Sequence, residues 1–331
     1  MSEVTTLRPL KTWSHLSAQR RKPSEYEIVS ANLLWHTREG VDQEHPWDTE
    51  GIMTDWYRKN LFGCALKHED WNRFRDPDQI VYRTYNIIQD GQEAYVSGLL
   101  EQFAADEHDR GLSAEWVQAL ARLYAPARYP LHAVQMASGY LGSIAPASTI
   151  SCCAMYQTCD ALRWVSHTAY RTRELAKAHP GAGLGEKERQ HWETLPEWQG
   201  FRELAERMLA TYVWGESFFA LNVVLKPALD EAINRQLTHV ARSHGDNLLP
   251  LLAEAQLRDS ARSQRWTAAL VKLGLETEGN AQVFAEWGAK WVPLADKAVR
   301  AYCKGIPGRP EAGEEAVANL RAARIALGLR A

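Results

Sequence analysis

Five polar side chains in one short stretch have the spacing to act together. In Trp71 to Glu93, WNRFRDPDQIVYRTYNIIQDGQE, the residues Tyr82, Tyr85, Asn86, Gln89 and Glu93 recur at three- and four-residue steps. On a helix such positions share one side. The stretch opens like a buried helix, so that side reads as an inner face filled with polar groups. Burying them is costly unless they hold a ligand or one another.

One chemistry that wants polar residues inside a helical bundle is a carboxylate-bridged pair of irons. It needs a Glu from each of two helices and a Glu-x-x-His from each of two more. Glu188 and His191 form the single Glu-x-x-His in the sequence, within GEKERQHWE, where the polar neighbours predict an exposed short helix. In WGESFF, Glu216 stands at a suitable place, but Phe219 takes the position of the required histidine. RYPLHAVQMASGYLG turns His132 and Gln135 inward with no carboxylate, and His167 in RWVSHTAYRT reads as a hydrogen-bonded core histidine. The ligand set is incomplete. A buried Glu216 then needs a proton, a hydrogen-bond partner or a salt bridge to a neighbouring helix.

Other signatures fail sooner. Gly181-Ala182-Gly183-Leu184-Gly185 lacks the preceding strand of a dinucleotide fingerprint and reads as a loop. No phosphate-binding GxxxxGK[ST] and no GxSxG nucleophile turn occurs. Cys152 and Cys153 lie in an apolar helix with no basic neighbour, which favours inert packing over a reactive thiolate.

The elements that position these residues are helical throughout. Helices are predicted from Asp76, with Asp76, Pro77 and Asp78 as a capping signal, and at 113–124, 127–144, 147–179, 186–194, 198–244, 248–275, 281–303 and 314–327. The runs ISCCAMYQTCDALRWVSHTAYRTRELAKA and LATYVWGESFFALNVVLKPALDEAINRQL are apolar around much of their girth, which places them at the centre of a bundle. Pro227 should kink the second. Residues 1–70 are irregular and aromatic, 71–305 form the helical domain, and 306–331 are a linker and a last helix. The formal charge of -3 and pI near 6.4 argue against a nucleic-acid partner. An odd five cysteines without CxxC spacing point to reduced thiols and the cytoplasm, and no run of ~18 apolar residues suggests a membrane span.

The segments DPDQIVYRTYNIIQDGQE, APASTISCCAMYQTCDALRWVSHTAYRTRELA, GAGLGEKERQHWE and RWTAALVKLGLE, with KTWSHLSAQRRKPSEYEIVS near the start, closely resemble the beta subunit of the hydroxylase of bacterial toluene monooxygenases. These are the toluene/o-xylene and toluene-4-monooxygenase group of the soluble multicomponent di-iron monooxygenases. The likeness runs from about Leu10 to about Tyr302.

The resemblance implies an all-α, ferritin-like bundle without di-iron ligands, carrying an extended N-terminal arm. It implies no cofactor in this chain and a di-iron centre in a partner alpha subunit that inserts one oxygen atom of dioxygen into an aromatic ring. It also implies a hydroxylase with two copies each of alpha, beta and gamma subunits, served by an effector protein, a Rieske ferredoxin and an NADH reductase. Related phenol, alkene and isoprene monooxygenases have similar beta subunits. An independent di-iron oxidase would have to use atypical ligands such as Glu93, Glu216 and His167. As a scaffold, the chain is expected to anchor partners through Trp13, Arg20, Arg21, Tyr26, Trp35, Trp47 and Trp56. Tyr85, Asn86, Gln89, Glu93 and Glu216 then become a buried polar network where a catalytic relative keeps its metal.

Overall fold

A computed structural model describes residues 21–31 and 52–329. The anchors expected at Trp13, Arg20, Trp35 and Trp47 lie outside the described residues. Among the described residues every regular element is helical: α1 (Glu25–Ser30), α2 (Tyr82–Ala105), α3 (Arg128–Ile144), α4 (Ser148–Ala178), α5 (Pro196–Leu209), α6 (a continuous run over 214–244), α7 (Leu248–Leu275), α8 (Asn280–Cys303) and α9 (Ala312–Ala326). Shorter helical pieces fill the connections.

α3, α4, α6 and α7 make the central bundle, with α2 laid over α4 and α7 and α8 closing the opposite side. Three residues separate α3 from α4, so the two return along each other as a long antiparallel pair. Between α6 and α7 the chain reverses at Gly245, whose φ of +83° suits glycine. The next residue, Asp246, is fully buried and holds the corner. Its Oδ1 accepts from the Leu249 amide at 3.0 Å and its Oδ2 from Trp116 Nε1 at 3.1 Å. α5 meets α8 at Gly200, where a Cβ would lie 2.5 Å from the Ala298 Cα.

Predicted boundaries shift at two places, and a third departure lies inside α6. The helix expected from Asp76 starts at Tyr82, because the Asp76 carboxylate spends itself on a turn, accepting from the amides of Asp78 (3.0 Å) and Ile80 (3.1 Å). The single helix expected over 198–244 is two, broken at residues 210–213. Around Pro227, α6 widens into π-helical turns over Phe219–Leu225 and Asp230–Leu237, which take up the missing proline N–H within the run.

The described part of the N-terminal segment is tied to its own bundle. Ser24 and Glu27 form a capping box for α1, the Tyr26 hydroxyl accepts from the Asp76 amide at 2.9 Å, and Ser148 Oγ donates to the Ser30 carbonyl at 2.6 Å. Arg21 stays at the surface and pairs with Glu27. Trp56 donates to the Tyr140 hydroxyl at 3.2 Å and packs against Tyr212, ring centres 4.9 Å apart. Of the expected anchors, Tyr26 is buried in this chain's own fold, and Trp56 is partly buried against Tyr140 and Tyr212.

Candidate functional site at the polar centre of the bundle

Each of the four central helices contributes one neutral polar residue to a single cluster. Gln157 of α4 donates through Nε2 to Ser138 Oγ of α3 (2.9 Å) and to Asn222 Oδ1 of α6 (3.2 Å). Asn222 answers through Nδ2, donating to Gln157 Oε1 (3.1 Å) and to Thr267 Oγ1 of α7 (2.9 Å). All four are buried. The two amides satisfy each other, so the burial leaves little unpaired.

Beside this cluster lies a cavity of about 20 Å³, bordered by Gln157, Asp160, Lys226, Asp230, Asp259 and Ser260 among others. It has room for about one water. Lys226 sits at its edge and donates to Ser260 Oγ at 2.6 Å and to Asp230 Oδ2 at 3.1 Å.

Beyond it an ionic network joins α2, α4 and α7. Asp160 Oδ1 accepts from the Tyr85 hydroxyl (2.9 Å) and from Gln89 Nε2 (2.8 Å), and its second oxygen accepts from Arg262. Asp259 accepts from Gln89 Nε2 (2.9 Å), Trp164 Nε1 (2.9 Å) and Arg163 Nη1 (3.2 Å). Arg163 also reaches Glu93 Oε1 through Nε at 2.7 Å, and His167 Nε2 lies 2.9 Å from the same oxygen. Three carboxylates thus face two guanidiniums and an imidazole.

Burial, reinforced by the facing charge of Asp259, raises the Asp160 carboxyl to about 6 despite its bond to Arg262. For Glu93, burial also opposes ionisation, but hydrogen bonds from His167 and Arg163 outweigh it and hold the carboxyl below its usual range. Burial, with Asp160 close by, pushes the Tyr85 phenol up, so it remains a donor.

The sequence expectation places some of these residues well and others not. Tyr85 and Gln89 enter the network as the spacing suggests. Glu93 joins it from a half-exposed position, while Tyr82 and Asn86 point to solvent. Asn86 donates only to the Tyr82 carbonyl of its own helix. The reason is angular: successive residues turn by about 100° on an α-helix, so Asn86 lies a quarter turn beyond the buried row of Tyr85, Gln89, Val96 and Leu100.

Glu216 pairs with α8, accepting from Lys290 Nζ (2.6 Å) and Trp291 Nε1 (2.9 Å), and takes no part in the network. Phe219 packs against Phe284 and Trp287. His132, expected inside, is exposed. Glu188, expected on an exposed helix, is buried, accepting from the Gly185 amide with Arg128 3.6 Å away. Gln157, Asp160, Lys226, Asn222, Asp259 and Arg262 were not singled out from sequence. Their signal is present in retrospect, as polar residues at core-facing steps inside apolar helices.

The donor set does not suit a di-iron centre. The four facing helices offer two amides and two hydroxyls where bridging carboxylates and imidazoles are needed. The nearby aspartates are engaged by Arg163 and Arg262, and Lys226 adds a third fixed cation. Among the described residues no group of three or more His, Cys, Asp or Glu could hold a metal ion.

The profile described as Methane/Phenol/Alkene Hydroxylase matches residues 47–278, and the chain belongs to that family. It is 49% identical, over 89% of its length and 90% of the relative, to the toluene-4-monooxygenase system hydroxylase component subunit beta of Ectopseudomonas mendocina. A propane 2-monooxygenase hydroxylase small subunit from Rhodococcus jostii is 25% identical over 88% of this chain and 80% of its own. The fold matches a chain of toluene 4-monooxygenase, determined with toluene in its resting active site, at a TM-score of 0.86 and 48% identity, covering 91% of this chain and 99% of that one.

Proposed function

We propose that this chain is the non-catalytic beta subunit of a multicomponent aromatic-ring monooxygenase, holding in place an alpha subunit that carries the di-iron centre. The observation that carries this reading is the Gln157–Asn222 pair at the centre of the bundle: two amides bonded to each other, with Ser138 and Thr267, fill the position from which a metal-binding member would project its ligands.

A second observation supports the structural role. α4 turns Met155, Leu162 and Tyr170 outward at roughly half exposure, and α2 does the same with Ile87. These apolar groups recur at helical spacing on the side away from the core, as a partner-binding face requires. In this reading the partners are the alpha and gamma subunits, two copies of each subunit per hydroxylase, with an effector protein, a Rieske ferredoxin and an NADH reductase acting on the assembly in the cytoplasm.

Co-expression with candidate alpha and gamma subunits, followed by a toluene-hydroxylation assay with and without this chain, tests the reading. Activity should need this chain while iron, measured by elemental analysis, stays absent from the chain purified alone. Stoichiometric iron in the isolated chain would overturn it.

A further inference from the structure

A cavity of about 730 Å³ opens between α6, α7 and α9, on the outer side of the bundle from the ionic network. Its size falls in the range of small-molecule sites. Both π-helical stretches of α6 line it, through Asn222 and Val223 in the first and Asp230, Glu231 and Arg235 in the second. Such turns are frequent at functional sites. Much of the remaining wall is apolar: Val223, Pro227, Leu320 and Leu327 with several alanines.

The charged groups on the wall are not equally engaged. Asp230 accepts from Lys226 and Asn234, and Glu231 from Gln236 and Asn319, with Arg235 alongside. Arg265 is held by three hydrogen bonds to Asp78. Arg324 differs. It is 4% exposed, its ion pair with Asp296 is stretched to 3.6 Å, and its Nε has no hydrogen-bond partner. Burial without full pairing lowers its affinity for its proton, the direction opposite to that of Arg163 and Arg262. The Arg324 Nε is a buried donor without an acceptor beside an apolar cavity, and the carboxylate next to the guanidinium, Asp296 Oδ1, stands 3.6 Å from Nη2 with no hydrogen bond of its own; an anionic head with a hydrophobic body in that cavity would supply the close charged acceptor that Asp296 does not.

We propose that this cavity binds a small amphipathic carboxylate, with Arg324 pairing the carboxylate and the wall of Val223, Pro227, Leu320 and Leu327 covering its body. Nothing in this inference depends on the chain's role toward an alpha subunit.

The test is a titration of 4-fluorobenzoate against the full chain, in the assembly in which it purifies, read by fluorine NMR. Two variants accompany it. Arg324→Met removes the charge, and Ala323→Trp obstructs the cavity from an exposed position on α9 without touching the core. Binding should weaken about tenfold or more in both, in line with the loss of a charged hydrogen bond or of access. Fluorobenzene and 4-fluorobenzylamine should bind at least about tenfold more weakly than the acid. Equal binding by wild type and Ala323→Trp would place the acid elsewhere, including in a partner subunit, and overturn the proposal. So would failure of the acid to bind wild type at millimolar concentration, or equal affinity for the amine.

Discussion

Gln157 and Asn222 reach across from α4 and α6 and exchange two hydrogen bonds, of 3.2 and 3.1 Å, at the centre of the four-helix core. This pairing satisfies both amides without charge, and each side chain loses one of its two partners if the other is removed. Gln157→Leu or Asn222→Leu alone should destabilise the protein by about 1–3 kcal/mol, the cost of stranding a buried polar group. The double variant should cost less than the sum of the two singles. Thermal denaturation of the three variants checks it, and strict additivity would mean that the two amides do not depend on each other.

Asp160 predicts a pH response of definite sign. Its carboxyl titrates near 6 when folded, above its ordinary value of 3.8, so the folded state binds the extra proton. Its contribution to stability is fully present below about pH 4 and is lost as the pH rises toward about 6. Glu93 works in the other direction: its lowered folded value adds stability above its ordinary 4.5 that disappears on acidification. Asp160→Asn should therefore raise the slope of stability against pH between about 4 and 6, and Glu93→Gln should lower it at the acidic end, at and below about 4.5. Denaturation profiles across this window that are superimposable with wild type would contradict the assignment.

The contact of α5 with α8 at Gly200 leaves no room for a side chain. At Gly200 an added Cβ would meet the Ala298 backbone at 2.5 Å, so Gly200→Ala must push α5 from α8. A loss of about 1–3 kcal/mol is expected, the usual cost of overpacking. Gly91, whose Cβ would meet nothing within 4 Å, is the control. Its replacement by alanine should be neutral or stabilising in isolation, since a helix interior favours alanine.

Much of the fold was legible in the sequence because long apolar runs and their helical spacing admit few alternatives. Where the reading failed, local competition decided. Asp76 looked like a helix cap but caps a turn, and the break at 210–213 has no glycine or proline to announce it. The polar centre was half legible. Tyr85 and Gln89 followed from spacing, but their acceptors Asp160 and Asp259 are 71 or more residues away in sequence, and spacing along one helix cannot reveal a partner on another. Tyr26 and Trp56 were ambiguous for a related reason: a large ring signals burial against something without saying what, and Tyr26 meets this chain's own Asp76 loop while Trp56 meets Tyr140.

The outward apolar residues of α4 should matter to assembly more than to folding. Met155→Asp combined with Leu162→Asp should leave helical content unchanged by circular dichroism, as exposed substitutions cost within about 0.5 kcal/mol each. Size-exclusion chromatography of the co-expressed hydroxylase should show loss of the complex. An intact complex would remove this face from the interface.

The proposed role, positioning a catalytic partner without binding iron, makes a direct prediction about where the metal lies. Crystals of the assembled hydroxylase, with anomalous scattering recorded on both sides of the iron absorption edge, test it most directly. Iron peaks in the partner and none among Gln157, Asp160, Asn222, Asp259 and their neighbours are the predicted result. An iron peak within the α3, α4, α6 and α7 bundle of this chain would contradict it.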